Sequence, residues 1–95
     1  MKVVYLASAR DDLVWMRRYY VEVFPEGASK ARNQFRATES LLGLNPEIGQ
    51  PTEWDSVREF SMPNIPFSVI YRIRKGRIEV LRIWDESRSR NQDIV

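Results

Sequence analysis

The chain has 95 residues, 43 % of them hydrophobic and 29 % charged, with 15 Lys+Arg against 13 Asp+Glu and a formal charge of +2. That length supports one compact domain with one core, and so nearly balanced a charge is weak evidence for a polyanion partner. The sequence contains no Cys and no His, which removes disulfide scaffolds, thiolate nucleophiles, Cys-based metal sites and the commonest general base. No apolar run approaches the roughly 18 residues that span a bilayer, and the opening residues are too short an apolar stretch for a secretory signal, so the cytoplasm is the expected compartment.

Residues 3–6 (Val-Val-Tyr-Leu) form a short β-branched and aromatic run, expected to be a strand buried on both faces. Ser8, with Asp11 three residues later, resembles a capping box and predicts a helix start. From Ala9 the apolar positions Leu13, Met16, Tyr20 and Val23 or Phe24 advance in steps of three and four and mark one helical face. Pro25-Glu26-Gly27 interrupts the pattern, and Ala28, Ala31, Phe35, Thr38 and Leu42 then resume it as a second helix, folded back on the first as an antiparallel hairpin. Gly43 stands where a left-handed helix cap is expected, and residues 43–56, with Pro46, Gly49 and Pro51, read as an ordered loop.

The period then changes to two. A strand starts near Val57, with Phe60 and Met62 on one side, and Pro63-Asn64-Ile65-Pro66 makes a turn. Phe67, Val69, Tyr71 and Ile73 alternate with Ser68, Ile70, Arg72 and Arg74, a strand with a more polar second face. Lys75-Gly76 closes a hairpin onto a last strand over residues 78–84. The expected architecture is α+β in the order β-α-α-β-β-β: a mainly antiparallel four-stranded sheet with the helical hairpin packed on one face, a single domain over 1–88 and a tail over 89–95.

The basic residues concentrate in the sheet half, because residues 1–55 carry 7 basic and 8 acidic side chains and residues 56–95 carry 8 and 5. Arg58, Arg72, Arg74, Lys75, Arg77 and Arg82 come from three strands or their turn, and an exposed sheet side on which several met would suit phosphate or an acidic protein, since guanidinium donates two parallel hydrogen bonds. The competing reading pairs them with Glu59, Glu79 and Asp85 as a solvated surface. Trp84, beside Asp85 and near Arg88, either stacks on a base or organises an arginine contact, or else plugs the edge of the core while Asp85 serves a turn. Trp15 and Tyr19, one turn apart and off the main stripe of the first helix, form either an exposed partner-binding patch or part of a wide core face. No glycine-rich phosphate loop, HExxH motif or Ser-His-Asp set is present, and no metal or cofactor is implied.

The segments Ala7-Ser8-Ala9-Arg10-Asp11-Asp12-Leu13, Leu41-Leu42-Gly43-Leu44-Asn45-Pro46-Glu47-Ile48-Gly49, Val57-Arg58-Glu59-Phe60, Phe67-Ser68-Val69-Ile70-Tyr71-Arg72 and Ile78-Glu79-Val80-Leu81-Arg82-Ile83-Trp84, with Tyr20, together resemble the RelE/ParE toxin superfamily, also labelled plasmid stabilisation proteins. The resemblance spans residues 3–88 and rests on the order and spacing of individually weak motifs. It implies a bacterial toxin of a toxin–antitoxin pair, neutralised by a cognate antitoxin that wraps the helices and sheet, and assembling as a homodimer or as a hetero-oligomer with the antitoxin. Two branches share the fold: RelE-like members cleave mRNA on the ribosome, and ParE-like members inhibit DNA gyrase by binding. A metal-free ribonuclease needs an acid or base beside its arginine clamp, and RelE-like enzymes commonly place Tyr or His in the C-terminal segment; residues 85–95 contain neither, and Asp85 follows Trp84 where relatives often have His. The ParE-like branch is therefore expected, with Arg58, Arg72, Arg82, Trp84, Arg88, Trp15 and Tyr19 as partner-contacting residues. The alternative is a nuclease using Arg58, Arg72, Arg82 and Arg88 with Asp85.

Overall fold

The computed structural model describes residues 1–87. The chain runs through β1 (Lys2–Tyr5), α1 (Ala7–Glu22), a 3-10 turn (Pro25–Gly27), α2 (Ala28–Leu44), β2 (Gln50–Pro51), β3 (Val57–Ser61), β4 (Phe67–Arg74) and β5 (Arg77–Asp85). The expected α+β class and element order hold. The sheet, however, has five strands in the order β1-β5-β4-β3-β2, because two residues of the 43–56 loop pair antiparallel with β3, Gln50 opposite Glu59 and Pro51 opposite Arg58. It is mixed: β1 lies parallel to β5, with Tyr5 opposite Val80, while the remaining pairs are antiparallel.

Residues of both helices and one face of the sheet close the main core. Ala9, Met16 and Tyr20 of α1 and Ala31 and Leu42 of α2 meet Phe67, Val69, Tyr71, Ile78, Val80 and Ile83. The period-two reading of β4 thus places its odd-numbered residues correctly. Its second face is less polar than expected, because Ile70 joins Val57, Leu81 and Trp84 in a smaller cluster on the side away from the helices, with Leu6 and Trp54 packed against it. A β-bulge at Leu81, between the Val80–Tyr71 and Arg82–Ile70 pairings, switches the alternation of β5, so that Val80 and Ile83 both reach the main core while Leu81 and Trp84 both reach the smaller cluster.

Three local expectations are corrected. The run 3–6 is an edge strand, half-buried rather than covered on both faces, because β1 has β5 on one side only. Helix α1 begins at Ala7 with Leu6 as N-cap and no side-chain cap; Ser8 instead donates its hydroxyl to the Leu81 carbonyl at 2.7 Å. Gly43 lies inside α2, which ends at Leu44; its carbonyl accepts the N-terminal ammonium at 2.8 Å, and a Cβ there would stand 2.9 Å from the Met1 carbonyl oxygen. Close approach of β1 to α2, rather than a left-handed cap, explains this glycine. The Lys75-Gly76 turn has φ of 56° and 69°, the paired positive values of a tight hairpin turn.

Candidate functional site

The arginines singled out by the sequence do not meet. Arg58 and Tyr71 are opposite one another on β3 and β4, and both turn to the loop over residues 46–49. Arg58 Nη1 donates to the carbonyls of Glu47 at 3.1 Å and Gly49 at 2.7 Å. The Tyr71 hydroxyl donates to the Pro46 carbonyl at 2.7 Å and accepts the Gly49 N–H at 2.9 Å. Burial pushes the Tyr71 phenol above its ordinary pKa, against the lowering effect of the Gly49 hydrogen bond. A Cβ on Gly49 would come within 2.7 Å of the Tyr71 ring, so glycine is what lets the loop reach this hydroxyl.

Arg72 projects from the alternate side of β4 and spends its Nε on Glu79 at 2.8 Å; Arg77 donates to the other oxygen of the same carboxylate from Nε at 3.0 Å and Nη2 at 2.7 Å. The hydrogen bonds from Arg77 and then Arg72 hold the Glu79 carboxyl below the usual carboxylate range.

Arg82 lies at the outer edge of β5, past the point where β1 stops. Asp12 of α1 fills that edge: its carboxylate accepts Arg82 Nε at 2.8 Å, Arg82 Nη2 at 3.1 Å and the Ile83 N–H at 2.8 Å. The hydrogen bond to Asp12 raises the Arg82 pKa further. Ser8 and Asp12, one helical turn apart, thereby satisfy the Leu81 carbonyl and the Ile83 amide, backbone groups that β1 is too short to reach.

Trp84 is 3 % exposed and sits edge-on to Trp54, ring centroids 5.8 Å apart, in the smaller cluster. It is core, as the second of its two sequence readings has it. Asp85 Oδ1 accepts the Ser87 N–H at 2.9 Å and its hydroxyl at 2.6 Å, closing the turn after β5. Trp15 and Tyr19 stack with centroids 6.0 Å apart, and both stand edge-on to Phe67 of the core. This pair is the partly exposed rim of the core; Val14, Val21, Val23 and Phe24 are exposed elsewhere on α1 and just past its end. Arg88 and the expected tail over 89–95 lie outside the described residues.

Sequence reading missed several partners. Besides Asp12, these are Glu39, which accepts the Tyr5 hydroxyl at 2.5 Å, and Glu86, which accepts the hydroxyls of Ser61 and Ser68. A half-buried Tyr on an edge strand signals a hidden acceptor, but its identity 34 residues away has no local signature. Between α1 and α2 runs an apolar groove of about 360 Å³, floored by Leu13, Met16, Tyr20, Ala31 and Phe35, with the Tyr5 and Glu39 pair at one end. Among the described residues no group of carboxylates is arranged to hold a metal ion, and no helix is long and apolar enough to cross a membrane.

Residues 3–90 match the sequence model of the ParE toxin of the type II parDE toxin–antitoxin system. The chain belongs to the ParE toxin family. Among solved structures it is similar to a chain of the chromosomal ParDE toxin–antitoxin system from P. aeruginosa, at 30 % identity, covering 87 % of this chain and 92 % of that one with a TM-score of 0.69. Among curated proteins, none matches significantly.

Proposed function

We propose that this ParE-family chain is the toxin of a type II pair, that it inhibits growth by binding DNA gyrase, and that a cognate antitoxin neutralises it. The observation that carries the reading is the commitment of the arginines. A phosphate clamp for RNA cleavage requires guanidinium groups facing one scissile phosphate with a proton carrier beside them. Here Arg72 and Arg82 hold carboxylates, Arg58 holds loop carbonyls, and the sequence has no imidazole at all. Such a molecule is built to present a shape, which is what inhibition by binding demands.

The antitoxin contact follows from the apolar surface. Trp15 and Tyr19, stacked beside Phe67 on one flank of α1, offer an aromatic patch, and the groove between the helices on the other flank, with exposed Val21 at its rim, offers an apolar slot for an amphipathic segment. The partner-binding role expected of Trp15 and Tyr19 is retained on this ground.

Purified chain added to gyrase and relaxed plasmid is expected to block supercoiling while leaving mRNA intact in a translating extract. Site-specific mRNA cleavage with unimpaired supercoiling would overturn the proposal and favour the ribonuclease branch. Substituting Trp15 and Tyr19 by Ser is expected to abolish protection by co-expressed antitoxin; unchanged protection would remove these residues from the interface.

A further inference from the structure

The sheet carries a row of cations that the ion pairs described above absorb only in part. Lys2 lies opposite Arg77 across β1 and β5, and Arg77 lies opposite Arg74 across β5 and β4. Since neighbouring strands are about 4.8 Å apart, the three residues form a ladder of roughly 10 Å on the face away from the helices. Lys75 adds a charge in the adjoining turn, and Arg72 stands one step inward on the same face of β4. Of these five cations, Arg72 and Arg77 grip one carboxylate, Glu79, by their Nε atoms. Lys2, Arg74 and Lys75 are exposed and, among the described residues, form no ion pair.

Two features point to an external anion. Like charges directly opposite on a sheet destabilise it, and Arg74 stands opposite Arg77 with Glu79 neutralising only the Arg77 side. In addition, Glu79 demonstrates the local geometry: guanidinium groups at this register converge on paired oxygens. The chemistry of the surface selects among anions. A protein partner is ordinarily anchored by a buried apolar centre, and the ladder has none: Ile73, the exposed apolar residue of this hairpin, lies on the helix side of β4. A strip with a net cationic charge and no apolar anchor is suited to a sugar–phosphate backbone.

We propose that Lys2, Arg74 and Lys75, set beside the Glu79-bound Arg72 and Arg77, form a docking strip for the phosphate backbone of duplex DNA. The choice of DNA over other polyanions rests on the gyrase reading, because gyrase works on duplex DNA and a toxin that also held that duplex would be retained at its target. The strip contacts backbone only, so binding is independent of sequence and falls with salt.

The test measures fluorescence anisotropy of a labelled duplex of about 20 base pairs with the whole purified chain, between about 50 and 200 mM salt. Wild type is expected to bind with a steep salt dependence. R74E combined with K75N is expected to weaken binding roughly tenfold or more and to flatten the salt slope by about two contacts; Asn suits the positive φ at position 75. K30E combined with R36Q, an equal charge change at exposed positions of α2, is expected to leave binding within about twofold, with circular dichroism confirming that both variants fold. Equal losses in both variants, absence of binding at low salt, tighter binding to an A-form RNA duplex, or equal binding to a poly-glutamate peptide would each overturn the proposal. Gyrase inhibition by a chain that does not bind DNA sinks the docking strip alone; DNA binding by a chain that does not inhibit gyrase sinks the gyrase reading alone.

Discussion

Removing the Asp12 carboxylate is the sharpest probe of how the arginines are used. Asp12→Ala deletes two bonds to Arg82 and one to the Ile83 amide. The side chains of Arg82 and Asp12 are 22 % and 16 % exposed, between a surface pair worth at most about 1 kcal/mol and a buried pair whose breakage costs about 3–5 kcal/mol. With the charged acceptor of the Ile83 N–H also lost, the expected destabilisation is about 2–4 kcal/mol. For a domain of this size that lowers Tm by roughly 10–20 °C. Arg82→Ala leaves Asp12 bonded to Ile83 and open to water, so it is expected to cost less, about 1–2 kcal/mol. Urea unfolding of both single variants and the double variant gives a coupling energy, expected to exceed about 1 kcal/mol. If each single variant costs under about 1 kcal/mol and the effects add, Arg82 is a loosely held surface residue, and the argument that it serves the fold fails.

Tyr71→Phe removes the donor to Pro46 and the acceptor for Gly49, and is expected to cost about 1–3 kcal/mol by urea denaturation; a change under about 0.5 kcal/mol would show that the 46–49 loop does not depend on this hydroxyl. Glu79 is held below its ordinary value of 4.5, so its contribution is complete above that value and is lost as pH falls through the lower folded value; the stability difference between wild type and Glu79→Gln is expected to shrink below pH 4.5, and a difference independent of pH from 7 to 3 would refute the pairing. Tyr5 is shifted the other way, first by burial and then by its bond to Glu39, so its contribution is present below its ordinary value of 10.0 and is lost as the unfolded phenol ionises above it; Tyr5→Phe is expected to flatten the alkaline fall in denaturation midpoint, and an unchanged profile would refute this.

What was legible in the sequence was whatever one element determines by itself. The spacing of Ala9, Met16 and Tyr20, the alternation from Phe67 to Ile73 and the Lys75-Gly76 turn each reflect the geometry of one helix, strand or turn, and each predicts the buried side it takes. Relations between distant elements were illegible. Ser8 read as a cap because Ser before an apolar stripe usually is one, yet its hydroxyl serves a strand 73 residues away. Gly43 read as a terminator, but the constraint on it comes from Met1. The second strand escaped notice because two residues, one of them Pro, carry no periodicity.

The same division explains the arginines. A sequence shows that guanidinium groups are numerous in the sheet half, and it does not show register, which decides whether each has a carboxylate opposite. Register gives Arg72 a cross-strand partner in Glu79, and the bulge at Leu81 leaves Arg82 beside the edge that Asp12 closes. At Arg74 it gives another arginine instead. A sheet whose cations were only structural would place acids opposite them throughout, as it does one step inward; the row at the hairpin end departs from that rule while its neighbour obeys it. Selection for fold stability accounts for the neutralised row. The uncompensated one, Lys2 and Arg74 in line with an Arg77 that is already held and Lys75 in the adjoining turn, is the part of the basic excess that stability leaves unexplained, and therefore the part on which a binding role has to be tested.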